Sequence, residues 1–88
     1  MAKKLFGEMT LWAKENCPDC SPIIKLLQDN DVEHVVKPAV RMGEGRLGRL
    51  VIRQFAKQRK RLPIIKVDGE FVDPADLEAL VQKKLSEQ

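Results

Sequence analysis

The stretch MTLWAKENCPDCSPIIKLL, residues 9–27, holds both cysteines of the chain and changes character twice. Its opening carries β-formers in loose alternation and predicts a strand over residues 8–13. Its close repeats Ile23, Ile24, Leu26 and Leu27 at helical spacing, and QDND (28–31) stops the run. Between strand and helix stand Cys17 and Cys20, with Pro18 between them and Pro22 just after. Pro18 suits the first position of a helix, because its ring fixes φ and the N–H it lacks would have no partner there. Pro22 would then be the fifth helical residue and would cost a hydrogen bond. In the other reading Ser21 is the N-cap and Pro22 the first helical residue, with the cysteines on an irregular or 3₁₀ lead-in. The sequence leaves both starts open.

Outward from this unit, VEHVVK (32–37) reads as a β-branched strand, and a loop with Pro38, Gly43 and Gly45 follows. Leu47, Leu50, Val51 and Phe55 then recur at i, i+3, i+4 and i+8, which predicts a helix over 47–57 with arginines on its outer face. LPIIKV (62–67) is a third strand, Asp68-Gly69 a tight hairpin turn, and EFV (70–72) the returning strand. DPADLEALVQKKL (73–85) has every mark of a helix: Asp73 to cap it, Pro74 to start it and Asp76 in its first turn. The order β-α-β-α-β-β-α, with no repeat or linker, predicts an α/β fold forming a single domain over 1–88. The first two strands should pair in parallel and the hairpin antiparallel, giving a four-stranded mixed sheet with helices on both faces.

Composition narrows the setting. The chain of 88 residues is 43% hydrophobic and 33% charged, an ordinary globular balance. No apolar run approaches the ~20 residues of a membrane span. The start, MAKKLFGEM, lacks the apolar stretch of a secretory signal, because Glu8 follows Leu5-Phe6-Gly7. Two cysteines are too few for a secreted disulfide scaffold, so a reducing, cytoplasmic setting is expected. The net charge of +3 hides an asymmetry. Residues 37–66 carry Lys37, Arg41, Arg46, Arg49, Arg53, Lys57, Arg59, Lys60, Arg61 and Lys66 against Glu44 alone, and both flanks are net acidic. The plain reading is a solvated helix face; the alternative is attraction of an acidic partner or ligand.

A Cys-x-x-Cys pair between a strand and a helix, near a βαβ pattern, is a redox signal. Thiol–disulfide exchange needs one thiolate to attack and a second thiol near enough to resolve the mixed disulfide. Two intervening residues in a tight turn bring the sulfurs within bridging reach. Unpaired N–H groups at a helix start favour the attacking thiolate. Cys17 is therefore expected at the exposed edge of the turn as the attacking group, and Cys20, more buried, as the resolver. Lys14 supports a negative charge there and Asp19 opposes it. Two inert buried cysteines are the structural alternative. A metal site would need two further ligands, and His34 is the only histidine, so none is assigned within one chain. An iron–sulfur cluster or other metal site shared between two chains stays as an alternative. His34 reads as an ordinary strand residue without a catalytic role.

TLWAKENCPDC and RLPIIKVDGEFVDPADLEAL together resemble a glutaredoxin of the thioredoxin superfamily. The matching features are Lys14, Cys17-Pro18-Asp19-Cys20, Leu62-Pro63, Asp68-Gly69 and Asp76, in order over nearly the whole chain. The resemblance implies a thioredoxin-like fold and a dithiol oxidoreductase that reduces protein disulfides or glutathione mixed disulfides. It implies Cys17 as nucleophile and Cys20 as resolver. It also implies Lys14 facing the glycyl carboxylate of glutathione, the backbone of Leu62 pairing with the tripeptide, Pro63 in the cis form, and Asp76 receiving the γ-glutamyl ammonium. No cofactor is implied beyond glutathione as co-substrate. The expected partner is a disulfide-bearing protein or a glutathione mixed disulfide, with neither nucleic acid nor membrane, and the expected state a monomer. The chain departs from the family pattern at Asp19, Arg61-Leu62 and Asp73-Pro74, where an aromatic residue, Thr-Val and two glycines are usual. Weak glutathione binding with retained dithiol chemistry is the resulting expectation. A non-catalytic thioredoxin-fold module that docks an acidic partner through the basic helix, or carries a shared cluster, is the competing function.

Overall fold

Strand β1 (Met9–Ala13) is buried along its whole length, and so is β3 (Ile64–Val67). Strands with both faces covered belong inside a sheet, and a computed structural model, which describes residues 4–87, places these two side by side at its centre. The sheet order is β2-β1-β3-β4, with β2 at Val35–Pro38 and β4 at Glu70–Val72. β1 runs parallel to β2 and antiparallel to β3, and β3 runs antiparallel to β4. This is the four-stranded mixed sheet that the element order predicts.

Three helices complete the fold: α1 (Ser21–Asp29), α2 (Gly48–Lys57) and α3 (Pro74–Ser86). Side chains alternate across each strand, so neighbouring residues serve opposite faces. Met9 and Leu11 of β1 and Ile65 and Val67 of β3 meet Leu27 of α1 and Leu77 and Val81 of α3 in one core. Trp12 and Ile64, from the alternate positions, meet Val51 of α2, with Met42, Phe55 and Phe71 packed against them. Helices thus cover both faces, α1 and α3 on one and α2 on the other. Lys66 is the exception in β3: its stem is buried and its Nζ reaches Glu8 Oε1 at 3.7 Å.

Local chemistry explains the connections. Asp68 (φ 49°) and Gly69 (φ 88°) both take the left-handed conformation that a two-residue hairpin turn requires. Asp68 Oδ1 also accepts the Glu8 N–H at 2.9 Å, which ties the turn to the start of β1. Asp73 caps α3 by accepting the Ala75 N–H at 2.9 Å, and Pro74 follows it as the first helical residue. Gly48 begins α2 where a Cβ would overlap the carbonyl of Gly43, so no larger residue fits without moving backbone. Among the described residues no helix is long and apolar enough to cross a membrane.

Four sequence expectations need correction. The second strand is four residues long, Val35–Pro38, and Val32 makes only an isolated bridge before it. His34 therefore precedes the strand, and its Nδ1 bonds the Val32 carbonyl at 2.7 Å. The third strand starts at Ile64 and not Leu62, because proline lacks a ladder donor. In the second helix Val51 is buried, but Leu47 and Leu50 are 37% and 46% exposed. Their helical spacing is real, yet neither joins either hydrophobic cluster.

Candidate functional site

The cysteine turn lies between the buried end of β1 and the first turn of α1. Pro22 decides where that helix starts. A helix from Pro18 would need an N–H from residue 22, so the helix begins instead at Ser21, with Cys20 as its N-cap and Pro22 second. This is the later of the two starts left open above, moved one residue toward the cysteines. Ser21 does not cap. Its hydroxyl donates to the Cys17 carbonyl at 3.1 Å, and the same carbonyl accepts the N–H groups of Cys20 and Ser21 at 3.2 Å each. Asn16, in the left-handed region at φ 59°, turns the chain into the motif.

Both cysteines are free thiols, Cys17 half-buried and Cys20 only 2% exposed. Burial pushes the Cys20 thiol up from 9.0 to about 12, and the adjacent Cys17 thiol adds to that, while the backbone of Lys14 pulls the other way. Two of the helix-start N–H groups assigned to a thiolate by the sequence are thus spent on the Cys17 carbonyl. The clear asymmetry between the two thiols is one of burial.

Two cavities flank the turn. One, of about 420 Å³, is lined by both cysteines with Lys14, Ile24, Val36 and Lys37. Lys37 also lies over the Trp12 ring, 5.6 Å from its centroid. The other, of about 490 Å³, brings Asp19 and Ile23 against Lys57, Arg59, Arg61, Leu62 and the Asp73-Pro74 corner. The structure thus divides the expected site residues: Lys14 shares the cysteine cavity, and Leu62 lines the neighbouring one. The Leu62–Pro63 bond is cis, and Pro63 is fully buried. Asp76 is exposed in the first turn of α3 and lines neither cavity. Among the described residues no three His, Cys, Asp or Glu side chains converge as a metal site.

One contributor escaped the sequence reading. Gln58 is 9% exposed, and its Nε2 donates to the carbonyls of Arg61 at 3.1 Å and Pro63 at 3.2 Å. Gln54 in turn donates to Gln58 Oε1 at 2.8 Å. This chain of amides fixes the loop that presents Leu62. No sequence signal marks it, since a glutamine on a charged helix reads as surface.

Comparison with protein-family models, with curated proteins and with solved structures returned no match.

Proposed function

We propose that the chain is a dithiol thiol–disulfide oxidoreductase with a thioredoxin-like fold, similar to a small glutaredoxin and acting through Cys17 and Cys20. The observation that carries this reading is the pairing, in one turn, of an accessible thiol with a buried one. The thiolate of Cys17 attacks one sulfur of a substrate disulfide. That S–S bond breaks, and the departing sulfur leaves as a thiolate that takes up a proton. Cys20 then gives up its proton and attacks the Cys17 sulfur, closing an intramolecular disulfide and releasing the second substrate thiol. Two electrons and two protons pass to the substrate, and an external thiol, glutathione or a reductase, restores the pair. Burial chiefly holds the Cys20 proton, and the hydrogen bond to Cys17 adds to it, so bonding of the Cys17 sulfur into a mixed disulfide removes one part of what holds that proton.

The departures at Asp19, Arg61-Leu62 and Asp73-Pro74 all lie on the second cavity, which supports a weakened glutathione site. The chain works in this reading as a cytoplasmic monomer. The test is differential iodoacetamide labelling at neutral pH, followed by an insulin-reduction assay beside a glutathione mixed-disulfide assay. Cys17 should label at least tenfold faster than Cys20, Cys20→Ser should trap mixed disulfides, and Cys17→Ser should abolish turnover. Equal labelling of the two thiols with no reduction of either substrate would refute the reading.

A further inference from the structure

The loop after α2 carries its cations in an unusual way. Arg59 and Lys60 are consecutive left-handed residues, at φ 57° and 61°. That conformation costs an ordinary side chain about 1–2 kcal/mol, and glycine would relieve it. The chain instead holds two long cationic side chains there, both exposed to solvent. The backbone is braced from below, by the Lys60 N–H to the Phe55 carbonyl at 2.9 Å and by Gln58 to Arg61 and Pro63. Lys57, Arg59 and Arg61 line the cavity beside Asp19 and Leu62, and none of the three is ion-paired with a carboxylate among the described residues. On the far side of the cysteine turn Lys14 and Lys37 line the other cavity against the single carboxylate Glu15, and neither lysine is ion-paired among those residues. A segment crossing the turn therefore meets cations at both ends.

We infer that the substrate is a protein disulfide set in an acidic segment, docked by Lys57, Arg59 and Arg61 on one side of the turn and by Lys14 and Lys37 on the other. This deepens the proposed function and rests on Cys17 as the attacking thiol. The braced backbone sets where these side chains begin, while each of them still gives up rotamer freedom when a carboxylate arrives. The charges steer the encounter and select the partner more than they add affinity. A peptide fits better than a duplex here. The cations are split between two cavities flanking the turn and interspersed with Glu15, Asp19 and Asp73, which a carboxylate-bearing peptide segment suits better than a long run of phosphates.

The experiment uses the reduced full chain and two short peptides, each joined to itself by one disulfide, with glutamates or glutamines flanking the cysteine. Serine versions of both peptides report binding by fluorescence anisotropy without any redox step. The glutamate disulfide should be reduced roughly tenfold faster at low salt, as expected for a few exposed charge pairs. The ratio should fall toward one in 1 M sodium chloride and in the double variant Lys57→Gln, Arg59→Gln. Equal rates for both peptides overturn the acidic-segment inference while leaving the oxidoreductase reading in place. If neither disulfide is reduced, the oxidoreductase reading falls and the serine peptides decide: tighter binding of the glutamate form upholds the docking surface, and equal binding overturns it. Displacement of the glutamate-serine peptide by a short DNA duplex at lower concentration also overturns it, in favour of a general polyanion site.

Discussion

Replacing Gln58 by methionine removes the amide that braces the Leu62 loop and changes little else. Methionine keeps similar length, flexibility and helix propensity, so the packing of the stem survives. Two acceptors lose their donor, and Gln54 Nε2 loses its acceptor, a third bond that costs about 0.5–1.5 kcal/mol. The Pro63 carbonyl belongs to a fully buried residue, and an unpaired buried acceptor costs about 1–3 kcal/mol. The Arg61 carbonyl belongs to an exposed residue and can turn to water, so its lost bond costs about 0.5–1.5 kcal/mol. The expected destabilisation over the three bonds is about 2–6 kcal/mol, a large share of the ~5–15 kcal/mol typical of a folded domain. In urea, with a slope of about 1 kcal/mol/M for so small a chain, the midpoint should fall by roughly 2 M or more. Gln54→Met is the internal control. It removes only the bond to Gln58 Oε1 and should cost no more than about 1.5 kcal/mol. Far-ultraviolet circular dichroism against urea measures both. A Gln58→Met shift under 0.5 M, or one no larger than that of Gln54→Met, would show that the amide does not hold the loop.

Two further outcomes follow from the geometry. Between pH 9 and 12 the unfolded chain has lost the Cys20 proton that the folded chain retains, so stability is fully present below pH 9 and falls as pH rises toward 12. Urea midpoints of the reduced protein at pH 8 and pH 10.5 should therefore drop more steeply for wild type than for Cys20→Ala, and parallel slopes would exclude a buried thiol. Gly48→Ala should destabilise by about 1–3 kcal/mol despite alanine's better helix propensity, because the new Cβ meets the Gly43 carbonyl; a raised melting temperature would contradict that contact.

What was legible in the sequence was local. Asp68-Gly69 and Asp73-Pro74 each act through their own backbone, so their residue types suffice to place the hairpin and the start of α3. The start of α1 was not legible, since two prolines four apart each fit a helix start and only one helix forms. Leu5 and Phe6 belong to the main core, but Gly7 interrupts them before any period is established. Leu47 and Leu50 show the reverse: their period is clear, but a period states which residues share a face and not whether another element reaches it. In the site, both cysteines and their difference in burial followed from the motif. The second cavity did not, because it assembles residues 19, 23, 57–59, 61–62 and 73–75 from segments far apart in the chain. Nor did the left-handed pair Arg59-Lys60, since that conformation is ordinarily announced by glycine or asparagine.

The late start of α1 changes what can distinguish the two thiols. A helix from Pro18 would have set free N–H groups and its positive end directly after Cys17. Pro22 forbids that helix, and the turn spends the N–H groups of Cys20 and Ser21 on the Cys17 carbonyl. Selectivity then rests on access. Cys20 is covered and holds its proton; Cys17 is open to a cavity with Lys14 and Lys37. If the pair acts as proposed, access makes it discriminate among disulfides by what can approach the turn, and the groups lining its approaches are mostly cations. The negative charges of Glu15, Asp19 and Asp73 offset them only in part, since Lys14, Lys37, Lys57, Arg59 and Arg61 outnumber these carboxylates and none of the five is ion-paired among the described residues. The Asp73 cap also occupies the Ala75 N–H at the Asp73-Pro74 corner. Under the proposed function, a backbone donor already spent and cations left unpaired favour an extended acidic substrate over glutathione.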